Sequence, residues 1–171
     1  MATLVKGYAS VFGNVDSYGE VVDRGAFADW IRSNPSKQVP LLWMHNGREL
    51  PLGLTLELSE DAHGLQFKAE IADTEIGRDV VALIESGAVR SSSFAYRITD
   101  EYKDDDVWHL SGLELIEVSA VTTSFGANPA ATIDVAEDDA ARDTKTTEHP
   151  ASELTAADID AIFAKHWRNH G

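Results

Sequence analysis

Short apolar runs, two of which alternate with polar positions (52–58 and 65–71), recur through the first 135 residues and predict a chain built mainly from short strands. The strands are expected at 4–11, 20–22, 39–45, 52–58, 65–71, 92–99, 107–110, 113–121 and 131–135. The turn sequence Asp61-Ala62-His63-Gly64 predicts that 52–58 and 65–71 form a hairpin. The charged stretch 100–106 is expected to be a solvated hairpin tip.

Two helices interrupt these strands. The first is expected within 25–34 and stops before Pro35. The second begins at a cap formed by Asp73 or Thr74, and Gly87 lies where a helix C-cap glycine belongs. Its apolar face comprises Ile76, Val80, Leu83 and Ile84. Because strands dominate and closure leaves the fewest exposed edges, we expect a mainly β (α+β) fold with inserted helices, arranged as a small closed β-barrel.

The composition changes after Val135, which predicts a single main domain at 1–135. Residues 136–153 are rich in Ala, Asp, Glu and Thr without apolar periodicity, and they are expected to form an acidic flexible linker. Residues 154–168 predict an amphipathic C-terminal helix with an apolar stripe. The stripe is formed by Ile159, Ile162, Phe163 and Trp167. This helix either docks on the domain or is held for a partner, and the pattern leaves both open.

Charge and composition exclude several function classes. The chain has 171 residues with 29 acidic residues against 14 Lys and Arg, which argues against nucleic acid as a ligand. No apolar run approaches the roughly 18 residues that span a membrane, and the N-terminus lacks a signal-peptide pattern, so a cytoplasmic protein is expected. Cysteine is absent, which excludes thiolate catalysis. His166 and His170 have metal-ligand spacing, but solvated side chains at a helix end are favoured, and we expect no metal or cofactor.

Three polar residues, His45, Ser93 and Glu117, interrupt otherwise apolar strands. Strand alternation turns Ser93 away from the neighbouring aromatic residues Phe94 and Tyr96. It places Glu117 on a face with Leu113, Leu115, Ser119 and Val121, where a buried carboxylate needs a polar partner such as a histidine. From the pattern alone, a serine that simply fits the strand, a structural or solvated histidine and a glutamate that faces water are more usual than a catalytic site.

Several segments, taken together and in order, resemble the HK97-type prohead protease family. They are Gly-Tyr-Ala-Ser-Val-Phe-Gly-Asn-Val-Asp-Ser-Tyr-Gly-Glu-Val-Val at 7–22, Arg-Gly-Ala-Phe at 24–27, Leu-Leu-Trp-Met-His-Asn at 41–46, Pro-Leu-Gly at 51–53, Leu-Ile-Glu-Ser-Gly at 83–87, Val-Arg-Ser-Ser-Ser-Phe-Ala-Tyr at 89–96, Leu-Ile-Glu-Val-Ser-Ala-Val-Thr at 115–122 and Ala-Asn-Pro-Ala at 127–130. The resemblance covers about residues 6–135, and its specificity comes from the agreement of separated blocks.

This resemblance implies roles for two residues. The histidine of the Trp-x-His block is the family's general base, which corresponds to His45. The nucleophile is the serine directly before Phe-Ala-Tyr, which selects Ser93 over Ser91 and Ser92. A serine hydroxyl becomes a competent nucleophile when an adjacent imidazole accepts its proton.

The family in turn is similar to the herpesvirus assembly proteases, whose fold is a β-barrel with surrounding helices. Those enzymes use a second histidine in a later strand, and Glu117 stands at the corresponding point, 24 residues after Ser93. Glu117 is therefore the implied third catalytic residue, and His109 is the alternative. By analogy, backbone amides within 123–126 are candidates for the oxyanion hole.

The resemblance implies a serine endopeptidase that acts inside the assembling phage procapsid in the host cytoplasm. Its expected substrates are the scaffolding region of the major capsid protein, or a separate scaffold protein, and then the protease itself. Self-association as a dimer is a further expectation, and segment 154–168 is expected to be a packaging or docking element. Two other functions remain open: a catalytically inactive, protease-derived scaffolding protein, and a binding module unrelated to proteolysis.

Overall fold

A computed structural model of the protein describes residues 1–122 and 126–136. In chain order its elements are β1 (Thr3–Val11), β2 (Glu20–Val22), α1 (Ala28–Ser33), β3 (Pro40–Trp43), β4 (Gly53–Glu60), β5 (Gly64–Ile71), α2 (Glu75–Glu85), β6 (Ser91–Asp104), β7 (Val107–Val121) and β8 (Thr132–Val135). The mainly β prediction with two inserted helices is confirmed. The predicted C-terminal helix at 154–168 and all but the first residue of the linker at 136–153 lie outside the described residues.

The eight strands belong to one sheet, in the order β2-β7-β3-β4-β5-β1-β8, with β6 paired to the other edge of β7. Strands β2 and β3 run parallel to β7, whereas the other pairs are antiparallel. One hydrophobic core joins the sheet to the helices. Its largest fully buried side chains include Val5, Phe27, Leu41, Leu52, Leu65, Ile71, Leu110, Leu113 and Ile133. Within the described ranges, neither helix is long and apolar enough to cross a membrane.

The sheet does not close into the predicted barrel. Strand β6, on the outer edge of β7, and strand β8, at one end of the strand path, form no ladder with each other in the described part of the chain. The Ser92 hydroxyl instead donates to the Tyr8 carbonyl at 2.8 Å and to the Thr132 carbonyl at 3.0 Å. The Ile133 amide donates to the Arg90 carbonyl at 3.0 Å. Because a side chain and one backbone bond make this junction, β6 approaches β1 and β8 without pairing, and the prediction of a closed barrel was wrong.

The predicted charged tip at 100–106 is instead mostly strand. Strand β6 runs on to Asp104 and β7 begins at Val107, so only Asp105 and Asp106 lie in the turn. The backbones of β6 and β7 stay paired through this polar stretch, where Lys103 lies opposite Trp108. Such pairing does not depend on the polarity of the side chains. The predicted break between 110 and 113 is also absent, because the pairing absorbs Gly112 through register shifts opposite Asp100.

Helix α2 begins and ends as predicted. The Thr74 hydroxyl accepts a hydrogen bond from the Gly77 amide at 3.0 Å, which identifies Thr74, and not Asp73, as the N-cap. Gly87 follows the helix with a φ of 76°, a conformation that glycine adopts without steric cost. Helix α1 spans six residues, within the range predicted for it.

A Ser10→Ala substitution is expected to stabilise the fold. Ser10 is fully buried, and its hydroxyl has no hydrogen-bond partner in the described part of the chain. A buried hydroxyl without a partner costs about 1–3 kcal/mol of desolvation, and alanine removes that cost. We expect the melting temperature to rise in thermal unfolding, by about 2–4 °C for each kcal/mol that is recovered. The matched control is Ser92→Ala, which deletes a buried hydroxyl with two acceptors and is expected to lower the melting temperature. A lower melting temperature for both variants would contradict the statement that the Ser10 hydroxyl is unpartnered.

Candidate active site

His45 lies on a strained turn that begins where β3 ends. Met44 and His45 have φ values of 55° and 59°, in the left-handed region that residues with a side chain seldom occupy. Strand β7 holds this turn in place. The Met44 amide donates to the Ala120 carbonyl at 3.0 Å, and the His45 amide donates to the Ser119 hydroxyl at 3.1 Å. The turn therefore directs the His45 ring along β7 instead of continuing the strand.

A β-bulge in β7 decides where Glu117 points. Three register shifts mark the β6–β7 pairing, and one of them leaves Ile116 without a partner between Leu115 and Glu117. Leu115 is part of the hydrophobic core, and so is Val118, so the core-facing side of the strand changes at the bulge. The prediction that Glu117 shares a face with Leu113 and Leu115 was wrong for this reason.

The Glu117 carboxylate is buried and bridges two polar neighbours. Its side chain is 5% exposed, and Oε1 lies 2.5 Å from His45 Nδ1. The Ser119 hydroxyl donates to the other oxygen, Oε2, at 2.6 Å. Both oxygens are thus hydrogen-bonded, which a carboxylate away from water requires. The histidine expected as the partner of Glu117 is His45, whose side chain is 36% exposed and open to a ligand.

Ser93 lies on β6, directly opposite Ser119 of β7. Residues opposed in this way project to the same face with Cβ atoms about 4.5–5.5 Å apart, so Ser93 shares its face with Ser119. Strands β6 and β3 flank β7, and His45 follows β3. The fold thus brings Ser93 and His45 to either side of Ser119. No hydrogen bond between Ser93 and His45 is formed within the described residues, and such bonds are often long until substrate binds.

The neighbouring serine, Ser92, uses its hydroxyl for hydrogen bonds away from the candidate site. It is fully buried, and its hydroxyl donates to two carbonyl groups at the junction of β6 with β1 and β8. Alternation places its side chain opposite that of Ser93. Ser92 therefore has a structural role, and the choice of Ser93 as the candidate nucleophile is supported by the geometry.

His109, the alternative to Glu117, has a different partner. Its Nδ1 lies 2.8 Å from Asp23 Oδ1, and its ring stacks on Tyr102 with a centroid distance of 4.8 Å. A hydrogen bond to Asp23 raises the pKa of the Tyr102 hydroxyl. His109 and Glu117 are eight positions apart on β7, about 25 Å at the usual rise per residue. The geometry therefore favours Glu117 as the partner of His45.

Ser119 is the site residue that the sequence analysis did not select. The available signal was its position two residues after Glu117 on a strand, which puts both side chains on one face. Of the oxyanion-hole candidates at 123–126, only Gly126 lies within the described residues. In the described ranges, no cluster of three or more His, Asp or Glu side chains has a geometry suited to a metal ion.

The geometry suits proton transfer through His45. A carboxylate at Nδ1 keeps a proton on that nitrogen and leaves Nε2 as the acceptor. The same carboxylate stabilises the imidazolium that forms when Nε2 takes up a proton. Serine nucleophiles require a base prepared in this way. Ser93 lies opposite Ser119, the residue that contacts both His45 and Glu117.

Solved structures with a similar fold are herpesvirus proteases. The protease of Kaposi's sarcoma-associated herpesvirus in complex with a hexapeptide phosphonate inhibitor matches with a TM-score of 0.59 at 14% identity, covering 98% of this chain and 77% of that one. The same protease in complex with a dimer disruptor matches with a TM-score of 0.52 at 13% identity, covering 98% and 90%. At this identity the likeness shows the fold alone, and it agrees with the predicted resemblance.

The prohead protease of Enterobacteria phage HK97 is 33% identical over 103 residues, which are 60% of this chain and 44% of that protein. The chain thus spans less than half the length of this curated relative. The family model described as "Caudovirus prohead serine protease" matches residues 1–147, most of the chain. By that match, and in agreement with the sequence blocks that carry Ser93, His45 and Glu117, the chain belongs to the caudovirus prohead serine protease family.

Proposed function

We propose that this chain is a serine endopeptidase of capsid maturation, with Ser93 as nucleophile, His45 as general base and Glu117 as the residue that orients the base. The observation that carries the proposal is the 2.5 Å contact between the buried Glu117 carboxylate and His45 Nδ1. Family membership supports the peptidase activity, and the placement of Ser93 beside the same stretch of β7 supports its role.

In the proposed reaction, Ser93 Oγ attacks the carbonyl carbon of the scissile peptide bond while its proton passes to His45 Nε2. Glu117 stabilises the resulting imidazolium. His45 then donates this proton to the leaving amine, which breaks the peptide bond and leaves an acyl group on Ser93. Water, deprotonated by His45, hydrolyses the acyl-enzyme and restores the serine.

The proposed substrates are the scaffolding region of the major capsid protein, or a separate scaffold protein, and the chain itself, within the assembling procapsid in the host cytoplasm. The relative from phage HK97 carries the name "Prohead protease", which supports the capsid as the setting. Self-association as a dimer is part of the proposal, supported by the similar herpesvirus protease that binds a dimer disruptor. A docking role for 154–168 stays a prediction.

Labelling with a fluorophosphonate tests the nucleophile and its base without knowledge of the cleavage site. We expect the full chain to be labelled on Ser93, as located by peptide mass spectrometry, because an activated serine oxygen displaces the fluoride. His45→Ala is expected to slow labelling by about 10²–10⁴-fold, the usual contribution of a general base.

The exposed His63, on the turn between β4 and β5, provides the matched control. Its substitution by alanine is expected to leave the labelling rate unchanged. Absence of labelling, or labelling that does not depend on His45, would instead favour the inactive scaffolding protein or the unrelated binding module.

A further inference from the structure

The Ser119 hydroxyl connects two parts of the site. It donates to Glu117 Oε2 at 2.6 Å and accepts from the backbone amide of His45 at 3.1 Å. One oxygen atom thus contacts both the carboxylate and the turn that carries the imidazole. We propose that Ser119 is a positioning residue, whose hydroxyl fixes the carboxylate of Glu117 and the backbone of His45 relative to each other. This inference rests on the proposed function.

Burial makes this hydroxyl hard to replace. Ser119 is fully buried, so water does not supply a substitute donor or acceptor at this point. Without the hydroxyl, Glu117 Oε2 loses its donor, and the carboxylate is free to rotate about its last bond. The carboxylate is then held only by the contact of Oε1 with His45 Nδ1.

The hydrogen bond from the His45 amide to the Ser119 hydroxyl also contributes to positioning, beside the bond from that hydroxyl to Glu117. Met44 and His45 both occupy the left-handed region, a conformation that persists only when its surroundings impose it. In the described part of the chain, the Ser119 hydroxyl and the Ala120 carbonyl are the groups on β7 that accept hydrogen bonds from the backbone amides of His45 and Met44. Loss of the hydroxyl leaves His45 free to shift, and a displacement of about 1 Å in a catalytic group costs on the order of 10²-fold in rate.

A spectroscopic measurement tests this coupling without reference to proteolysis. The proton shared by His45 Nδ1 and Glu117 in the full-length, ¹⁵N-histidine-labelled protein is expected to resonate far downfield, as short charge-assisted hydrogen bonds do. Ser119→Ala is expected to move or broaden this resonance, and Ser92→Ala, which deletes a buried hydroxyl that contacts neither residue, to leave it unchanged. An unaltered resonance in a folded Ser119→Ala protein would overturn the inference.

The kinetic test uses the fluorophosphonate probe. Ser119→Ala is expected to lower the maximal labelling rate by about tenfold to a hundredfold, while the probe concentration at half-maximal rate changes by less than about twofold. Ser119→Thr, which keeps a hydroxyl, is expected to recover at least half of the logarithmic loss. A Ser119→Ala protein that labels like the wild type, or a threonine variant as slow as alanine, contradicts the inference.

The two failures are distinguishable. A wild-type chain that is not labelled on Ser93 counts against the proposed function, whereas normal wild-type labelling with an unaffected Ser119→Ala counts only against the role of Ser119. If a thermal unfolding experiment shows that the Ser119→Ala variant is not folded, Ser119→Cys supplies the same comparison. A thiol is close to a hydroxyl in size but is a much weaker hydrogen-bond donor.

Discussion

Replacing Ser93 with alanine is expected to abolish processing of the capsid protein. The substitution removes the atom that forms the acyl-enzyme in the proposed reaction. Neither Ser92 nor Ser119 takes its place, since Ser92 projects to the opposite face and Ser119 is held by Glu117 and His45. Losses on the order of 10⁶-fold accompany removal of such a nucleophile. The measurement is co-expression with the major capsid protein carrying its scaffolding region, with cleavage followed by gel electrophoresis and mass spectrometry.

Ser92→Ala is the matched control for this experiment, one residue away on the same strand. It deletes two buried hydrogen bonds and is expected to lower stability while processing continues. Comparison of the Ser93→Ala and Ser92→Ala variants also distinguishes a protease from an inactive scaffolding protein. An inactive scaffolding protein would support the same capsid assembly whichever of the two serines is replaced. Cleavage that persists in Ser93→Ala, or that disappears only in Ser92→Ala, contradicts the assignment of the nucleophile.

Glu117→Gln is expected to reduce the catalytic rate by about 10³–10⁴-fold, the scale seen when a triad carboxylate becomes an amide. Both groups that contact the carboxylate, His45 Nδ1 and the Ser119 hydroxyl, donate to it. An amide has one accepting and one donating end, so one of these contacts becomes a donor facing a donor. An amide nitrogen turned towards His45 favours a proton on Nε2, which is the wrong tautomer for a base.

The measurement compares the rate of capsid-protein cleavage by purified wild-type and variant proteins. Glu114→Gln is the control, because Glu114 lies on the same strand but is partly exposed and paired with Arg97 at 2.8 Å. Its replacement is expected to change the rate by less than about twofold, as usual for a surface ion pair. A Glu117→Gln protein within tenfold of the wild type would rule out the proposed role of this carboxylate.

Local sequence patterns predicted most of the secondary structure. Helix α2 and its Thr74 cap follow from side-chain chemistry between adjacent turns, and the structure confirms them. The extent of the β6–β7 hairpin was not predictable in this way. Its polar outer part is held by backbone pairing between the strands, and side-chain polarity gives no sign of that pairing. Closure of the sheet was not predictable either, because it depends on contacts between distant strands. At the junction of β6 with β1 and β8, the Ser92 hydroxyl occupies carbonyl groups and no backbone ladder forms among the described residues.

The sequence predicted His45, Ser93 and Glu117 as members of the candidate site, but it predicted neither the part of Ser119 nor the geometry of the site. A buried Glu117 needed a polar partner, and a histidine was one reasonable candidate for that partner. Its true direction depends on the bulge at Ile116, which shifts the alternation by one residue and has no distinct local signature. The left-handed turn at His45 was also hidden, because Met44 and His45 are not residues that mark a positive φ, and the structure imposes it from β7.

The turn at Met44 and His45 forms only when β7 holds it, so the proposed catalysis requires a fully folded sheet. In an unstructured chain Met44 and His45 prefer ordinary extended or right-handed backbone conformations, which do not aim the ring at Glu117. The anchors that reverse this preference are 74 and more residues downstream, on the strand that pairs with both flanking strands. Under the proposed function, a partly synthesised or partly folded copy therefore has no working base, and we expect peptide cleavage to start only after β7 has taken its place in the sheet.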